Sequence, residues 1–158
     1  LYLEKGQTSD KVLRAAKWTR ESGIGYFAYM MIGIPTETKE EMFQTVNFAK
    51  KLKPDYAQFS ICTPYPKTEL YFRMLKDGIL PSDHWQDFAE NPRADFKIQF
   101  FNQDFTDLEL RELQDECHAR FYRSPTYLMK QVFKVKSWAD FTAKARMGTK
   151  ILTTRMRA

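Results

Sequence analysis

An α/β fold built on parallel strands, followed by a helical extension, is the architecture this sequence predicts. Three observations carry that reading. Tyr29-Met30-Met31-Ile32-Gly33-Ile34-Pro35-Thr36-Glu37-Thr38 runs from an apolar strand through a sharp turn into a charged helix start. Tyr56-Ala57-Gln58-Phe59-Ser60-Ile61-Cys62 ends in the same manner, in Thr63-Pro64-Tyr65-Pro66-Lys67-Thr68. Helices alternate with these strands through short connections, and such alternation requires a parallel sheet with right-handed crossovers. Both Pro-bearing loops then lie side by side at the C-terminal edge of the sheet, where α/β folds bind small molecules.

The elements follow in order. Val12, Leu13, Ala16 and Thr19 recur at helical spacing between Ser9 and Ser22, and Gly23 supplies a stop. Ile24 to Ile34 is almost continuously apolar, as expected of a strand covered on both faces. Thr38 and Glu41 form a capping box, and Met42, Phe43, Val46 and Ala49 make the inner stripe of the helix it opens. Pro54-Asp55 ends that helix and launches the second strand. From Thr68 a third helix carries Leu70, Tyr71, Met74 and Leu75 to Gly78. Ser82 to Asn91 reads as an irregular polar and aromatic stretch. Asp95 to Phe101 alternates Phe96, Ile98 and Phe100, as a strand or an extended arm would. A second capping box, Thr106 with Glu109, opens a helix reaching about Tyr122. Pro125 suits the first position of another helix, and Ser137 with Asp140 caps a last one. The expected division is residues 1–80 for the α/β part and 81–158 for the helical extension.

The 158 residues suffice for one domain with a real core, and 43% hydrophobic with 15% aromatic residues describes a globular chain. No apolar run approaches the roughly 20 residues needed to cross a bilayer, and no signal peptide is visible. With only Cys62 and Cys117 there is no disulfide framework, and a cytoplasmic location is the expectation. The opening Leu1-Tyr2-Leu3-Glu4 reads as the continuation of a longer polypeptide. The net charge of +5 is uneven: from Arg111 onward eleven Lys and Arg face four Asp and Glu. A basic tail of this kind suits RNA, anionic lipid or an acidic ligand, and more often it is the solvated side of amphipathic helices.

Two confident strands make a sheet that does not stand alone. The missing neighbours come from additional chain, or from a second copy of this one joined through an open strand edge. Gly33, Pro35 and Glu37 do not form a phosphate-binding loop, since no Gly-Lys-Ser/Thr ending follows, and the Rossmann spacing is absent. Taken singly, each loop suits a structural turn as well as a site. Cys62 on a strand reads as a small buried hydrophobe, and adjacent Cys117 and His118 point about 100° apart on a helix, against a shared metal. No acid–base pair, triad or carboxylate dyad is recognisable, so no catalytic residue is assigned.

At these residues the sequence resembles the radical S-adenosylmethionine enzymes. Tyr29 to Thr38 looks like their fifth barrel strand with its Gly-x-Pro-Gly-Glu-Thr turn, and Phe59 to Tyr71 like the sixth strand with its Pro-x-Pro-Gly-Thr exit. Gly6-Gln7-Thr8 and the helix to Gly23-Ile24 match the segment before strand five, and His118 to Pro125 looks like the helical region after the barrel. The likeness is strongest to the cobalamin-binding class, which includes anaerobic magnesium-protoporphyrin monomethyl ester cyclases. It implies the C-terminal portion of a partial TIM-type barrel. It also implies a full-length oxidoreductase, cyclase or methyltransferase using S-adenosylmethionine, a 4Fe–4S cluster, an electron-donor protein, a small-molecule substrate such as a tetrapyrrole or lipid, and cobalamin where an upstream domain binds it. By the same resemblance Met31 and Gly33 would meet the cofactor, with Ser60, Cys62 and Pro64 at the end of strand six. Met31 is otherwise an ordinary barrel-core residue.

The departures are Thr36 and Lys67, each standing where the family has Gly. If those positions need positive φ, Thr36 is the more strained, being β-branched. The three-cysteine cluster motif is absent, so no metal ligand is assigned and this piece alone is expected to be inactive. A radical RNA-modifying methylthiotransferase using the basic tail is the alternative enzyme, without a recognisable RNA-binding module. A non-catalytic domain on a reused α/β scaffold is the alternative from another class.

Overall fold

The computed structural model describes residues 6–80, 82–96, 100, 102 and 104–133. Eight elements follow in order: α1 (Ser9–Glu21), β1 (Phe27–Ile32), α2 (Lys39–Leu52), β2 (Tyr56–Ile61), α3 (Glu69–Lys76), α4 (His84–Glu90), α5 (Asp107–Tyr122) and α6 (Pro125–Phe133). The expected helix at Ser137 and most of the basic tail lie outside the described residues.

Each main helix starts where the sequence places a cap. Thr38 accepts from the Glu41 amide while the Glu41 carboxylate accepts from the Thr38 amide, and Thr106 with Glu109 repeats the arrangement. Thr68 caps α3 through the Tyr71 amide. One difference from expectation appears. The stretch expected to be irregular contains α4, seven residues long, started by Asp83 accepting from the Gln86 amide. Most of the strand or extended arm expected over residues 95–101 lies outside the described residues.

β1 and β2 pair in parallel, with Ala28 opposite Ala57, Met31 opposite Ser60 and Ile32 opposite Ile61. The ladder runs on at its ends, where the Asp55 amide donates to the Tyr26 carbonyl (3.0 Å) and the Cys62 amide to that of Ile32 (2.7 Å). Ala28 and Ile32 from β1 join Ala57, Phe59 and Ile61 from β2 in one core with Met42, Val46 and Ala49 of α2 and Leu110, Leu113, Cys117 and Phe121 of α5. The α5 helix packs on β2 and α2, so residues far along the chain complete the core begun near its start.

That core covers one face of the sheet. Both faces of β1 were expected to be covered; instead Phe27, Tyr29 and Met31 are exposed while Ala28 and Ile32 are buried. The physical reason is placement: α2 and α5 lie on the same side. The bare face is apolar, with Tyr29 78% exposed and Phe27 stacked on Tyr29 and Tyr56 at 5.3 and 5.4 Å. A patch of this kind on a soluble protein marks a surface that something else covers.

The two edges of the sheet differ. Side chains of α5 occupy the outer edge of β2. Tyr122 Oη accepts from the Ala57 amide (3.2 Å) and donates to the Ala57 carbonyl (2.8 Å). His118 Nε2 accepts from the Phe59 amide (3.3 Å), and Gln114 Nε2 donates to the Phe59 carbonyl (2.7 Å). His118 Nδ1 faces the Gln114 carbonyl at 2.9 Å, so the neutral tautomer protonated on Nδ1 satisfies both contacts.

Burial pushes the His118 pKa down, with the Gln114 carbonyl and the Asp115 charge opposing that shift. The unfolded chain therefore takes up this proton first, near the ordinary histidine value of about 6.5. Stability is intact above that pH and falls as acid carries the solution below it. Urea midpoints measured from neutral pH downward should drop more steeply for the native chain than for His118→Gln. Parallel curves would show that His118 does not contribute.

Candidate functional site

The first candidate loop leaves β1 through Gly33, with φ +70°, and Thr36, with φ 71°. The second leaves β2 through Pro64 and reaches φ 62° at Lys67. Thus Thr36 and Lys67 both adopt the left-handed conformation that a glycine would take freely. A non-glycine L-residue there carries about 1–2 kcal/mol of strain. Thr36 is exposed, and Thr36→Gly should raise stability by up to about 1 kcal/mol, read as a higher urea midpoint, because part of the relief is lost to backbone entropy.

Each loop is tied from behind by a side chain of the later sequence. Asn102 Nδ2 donates to the Ile34 carbonyl at 3.2 Å. Trp85 Nε1 donates to the Pro64 carbonyl at 3.1 Å, and its ring lies 6.0 Å from that of Tyr65. Beneath the second loop, Cys62, Leu70, Tyr71, Met74 and Leu80 form a smaller core, and the Tyr71 hydroxyl donates to Asp83, the residue that caps α4. α4 is therefore a brace for the loop after β2.

Glu37 turns back within the first loop, its Oε2 accepting from the Ile34 amide at 3.1 Å. Burial pushes this carboxyl above the ordinary carboxylate range; the Ile34 and Gly33 amides act against that, and the charge of Glu41 adds to it. These amide bonds hold the turn closed.

The residues singled out from sequence fall into two groups. Met31 and Ser60 are register partners on the bare face, both exposed, at the end where the loops leave. Gly33 lies at the exit of β1 and is buried; a Cβ there would stand 3.1 Å from Leu110 Cδ2 and 3.3 Å from Ile61 Cγ2. Cys62 and Pro64 are buried, Cys62 in the smaller core with Leu70, Tyr71 and Met74, so neither side chain shares the exposed surface of Met31 and Ser60. Sequence reading missed the braces Trp85 and Asn102. It also missed the row formed by Gln114, His118 and Tyr122, whose spacing of four residues was its one visible signal.

The two thiols are poor ligands. Burial, helped by the charge of Glu37, raises Cys62 to about 11. Burial, with Glu116 and Glu37 adding and Arg120 and Lys39 opposing, raises Cys117 to about 12. A thiolate is what binds iron, so neither suits a cluster. No group of three His, Cys, Asp or Glu able to hold a metal occurs among the described residues. Nor is any of their helices long and apolar enough to cross a membrane.

No family model matches the chain. Over 134 residues it is 33% identical to an uncharacterized methyltransferase of Pyrococcus horikoshii, a match covering 84% of this chain and 28% of that protein. The chain is related to enzymes. Over 70 residues it is 36% identical to the anaerobic magnesium-protoporphyrin IX monomethyl ester cyclase of Cereibacter sphaeroides, covering 44% of this chain and 11% of the cyclase. The corresponding cyclase of Rubrivivax gelatinosus is 30% identical over 77 residues, covering 49% and 14%. The chain thus spans little more than a quarter of the methyltransferase and still less of the cyclases.

Proposed function

We propose that this chain is part of a radical S-adenosylmethionine enzyme and forms one wall of its cofactor pocket, within a partial TIM-type barrel. The observation that carries the reading is the bare apolar sheet face: Met31 stands beside Ser60 on two parallel strands whose exit loops leave together. In an α/β barrel such a face points inward, with helices on the opposite side. Met31 offers a polarizable surface for a purine, Ser60 a hydroxyl next to it, and Gly33 a turn without a Cβ. Cys62 and Pro64 contribute backbone at the end of the second strand. Such residues fit S-adenosylmethionine.

They do not fit its iron–sulfur partner, for the reasons given by the two thiols. A 4Fe–4S cluster, and cobalamin where used, belong to further chain of the same polypeptide. S-adenosylmethionine supplies the methyl group or the hydrogen-abstracting fragment; this piece binds and orients it and excludes water. Of the two chemistries suggested by the relatives' names, methyl transfer is favoured, because the methyltransferase match covers the larger share of this chain. The substrate is a small molecule, and the 158-residue chain alone is inactive.

The test is anaerobic reaction of the full-length polypeptide with S-adenosylmethionine and a reductant. Cleavage of the cofactor is expected there and not with the 158-residue chain. Met31→Asp in the full-length polypeptide should weaken S-adenosylmethionine binding at least about tenfold, or about 1.4 kcal/mol. Unchanged affinity in that variant would remove Met31 from the pocket.

A further inference from the structure

We propose that the loop after β2 selects the substrate: Tyr65 and Lys67 stand at the mouth of the proposed pocket and receive a molecule with a flat or apolar body and an anionic end. This rests on the reading of the bare sheet face as one wall of that pocket.

The backbone of the loop is fixed along its length. Pro64 is buried, and its carbonyl accepts from Trp85 Nε1 at 3.1 Å. The Tyr65 carbonyl accepts from Thr68 Oγ1 at 2.7 Å and from the Thr68 amide at 3.3 Å. Pro66 has its own φ set by its ring and disfavours helical backbone at Tyr65 before it. The Tyr65 side chain is nevertheless 57% exposed, its ring beside that of Trp85 at 6.0 Å and tilted by 32°. An isolated exposed aromatic is ordinary on a protein surface. One presented by a tethered backbone is a prepared binding element. Tyrosine offers a large contact area, and little freedom remains to be lost when a ligand stacks on it.

Two residues on, Lys67 supplies charge. Its φ of 62° is a left-handed conformation that strains an L-residue and that glycine takes freely. Nothing described within the chain explains a lysine at that position. The nearest acid along the sequence, Glu69, is taken by Arg73 at 2.8 Å, and among the described residues the Lys67 ammonium has no ion pair or hydrogen bond. Strain held without an internal gain is a mark of functional loops. This loop leaves β2 at the end of the sheet where Met31 and Ser60 stand. An ammonium there favours a carboxylate or phosphate, and the ring beside it favours a planar or apolar body. A neutral substrate would leave the strain at Lys67 without a use. A small inorganic anion would leave the Tyr65 ring without one.

Binding of naphthoate, and of its neutral counterpart naphthamide, to the full-length polypeptide with S-adenosylmethionine present tests this. The carboxylate should bind at least about tenfold more tightly than the amide. Lys67→Gly should abolish that difference while relieving backbone strain. Tyr65→Ala should weaken both probes at least about fivefold, and Tyr65→Phe, which keeps the ring, should restore them. Lysine acetylation read by peptide mass locates the contact: Lys67 should react in the unliganded polypeptide and be shielded by naphthoate but not by naphthamide. Equal affinity for the two probes, no binding of either, or a preference that survives Lys67→Gly would overturn the inference. So would a Lys67 that resists acetylation before any probe is added, because further chain would then cover the loop. Cofactor affinity and cleavage are measured separately, so failure of the enzymatic reading stays distinct from failure of the loop assignment.

Discussion

Phe59→Ala should cost about 3–5 kcal/mol, the range for truncating a fully buried phenylalanine. Phe59 has no exposed surface and sits at the centre of β2. Its ring meets His118 edge-on at 5.3 Å and Phe121 at 6.0 Å, so it joins the sheet to α5. The void would open between two elements brought together from distant parts of the chain, and neither can close it without losing the bonds at Ala57 and Phe59. A loss of this size is a large fraction of a domain's stability, and a cooperative urea transition should move accordingly or vanish. Phe59→Leu keeps most of the volume and should cost less than half as much. Equal losses for the two variants would show that α5 does not hold β2 as described.

What was legible in the sequence was local. Thr38 with Glu41 and Thr106 with Glu109 announce their helices because both members of a capping box lie within one turn. Thr36 and Lys67 drew notice because the resembling family has Gly at both positions, which suggested positive φ, and both adopt it. α4 escaped notice because its seven residues are too few to show a helical period; Asp83 and the anchorage of Trp85 hold it instead. The single-sided burial of β1 was also hidden. A continuous apolar run says that a strand avoids water, but not which neighbours cover it. The row along α5 was illegible for a related reason. Gln, His and Tyr four residues apart look like a solvated helix face, and their partners in β2 lie 55 to 65 residues away. The cofactor wall is half legible: Met31 and Ser60 share a face because strand register puts them there, while Cys62, past the end of β2, packs instead into the smaller core with Leu70, Tyr71 and Met74.

Gly33→Val should cost about 2–5 kcal/mol, combining the left-handed backbone penalty for an L-residue with that of overpacking a filled core. The φ of +70° accounts for the first part. The second comes from Leu110 Cδ2 and Ile61 Cγ2, at 3.1 and 3.3 Å from where a Cβ would stand, both on side chains with almost no exposed surface. The two parts separate by experiment. Gly33→Asn tolerates the backbone conformation but retains the crowding, whereas Gly33→Ala adds only the Cβ yet keeps the backbone penalty. Pairing Gly33→Ala with Leu110→Val makes room at the closest contact, so the double variant should lose less than the two single losses added together. Strict additivity would mean that Leu110 yields freely and that conformation alone selects glycine. Coupling would mean that α5 presses on the exit of β1, so that the helix fixing the edge of β2 also sets where the first loop leaves the sheet.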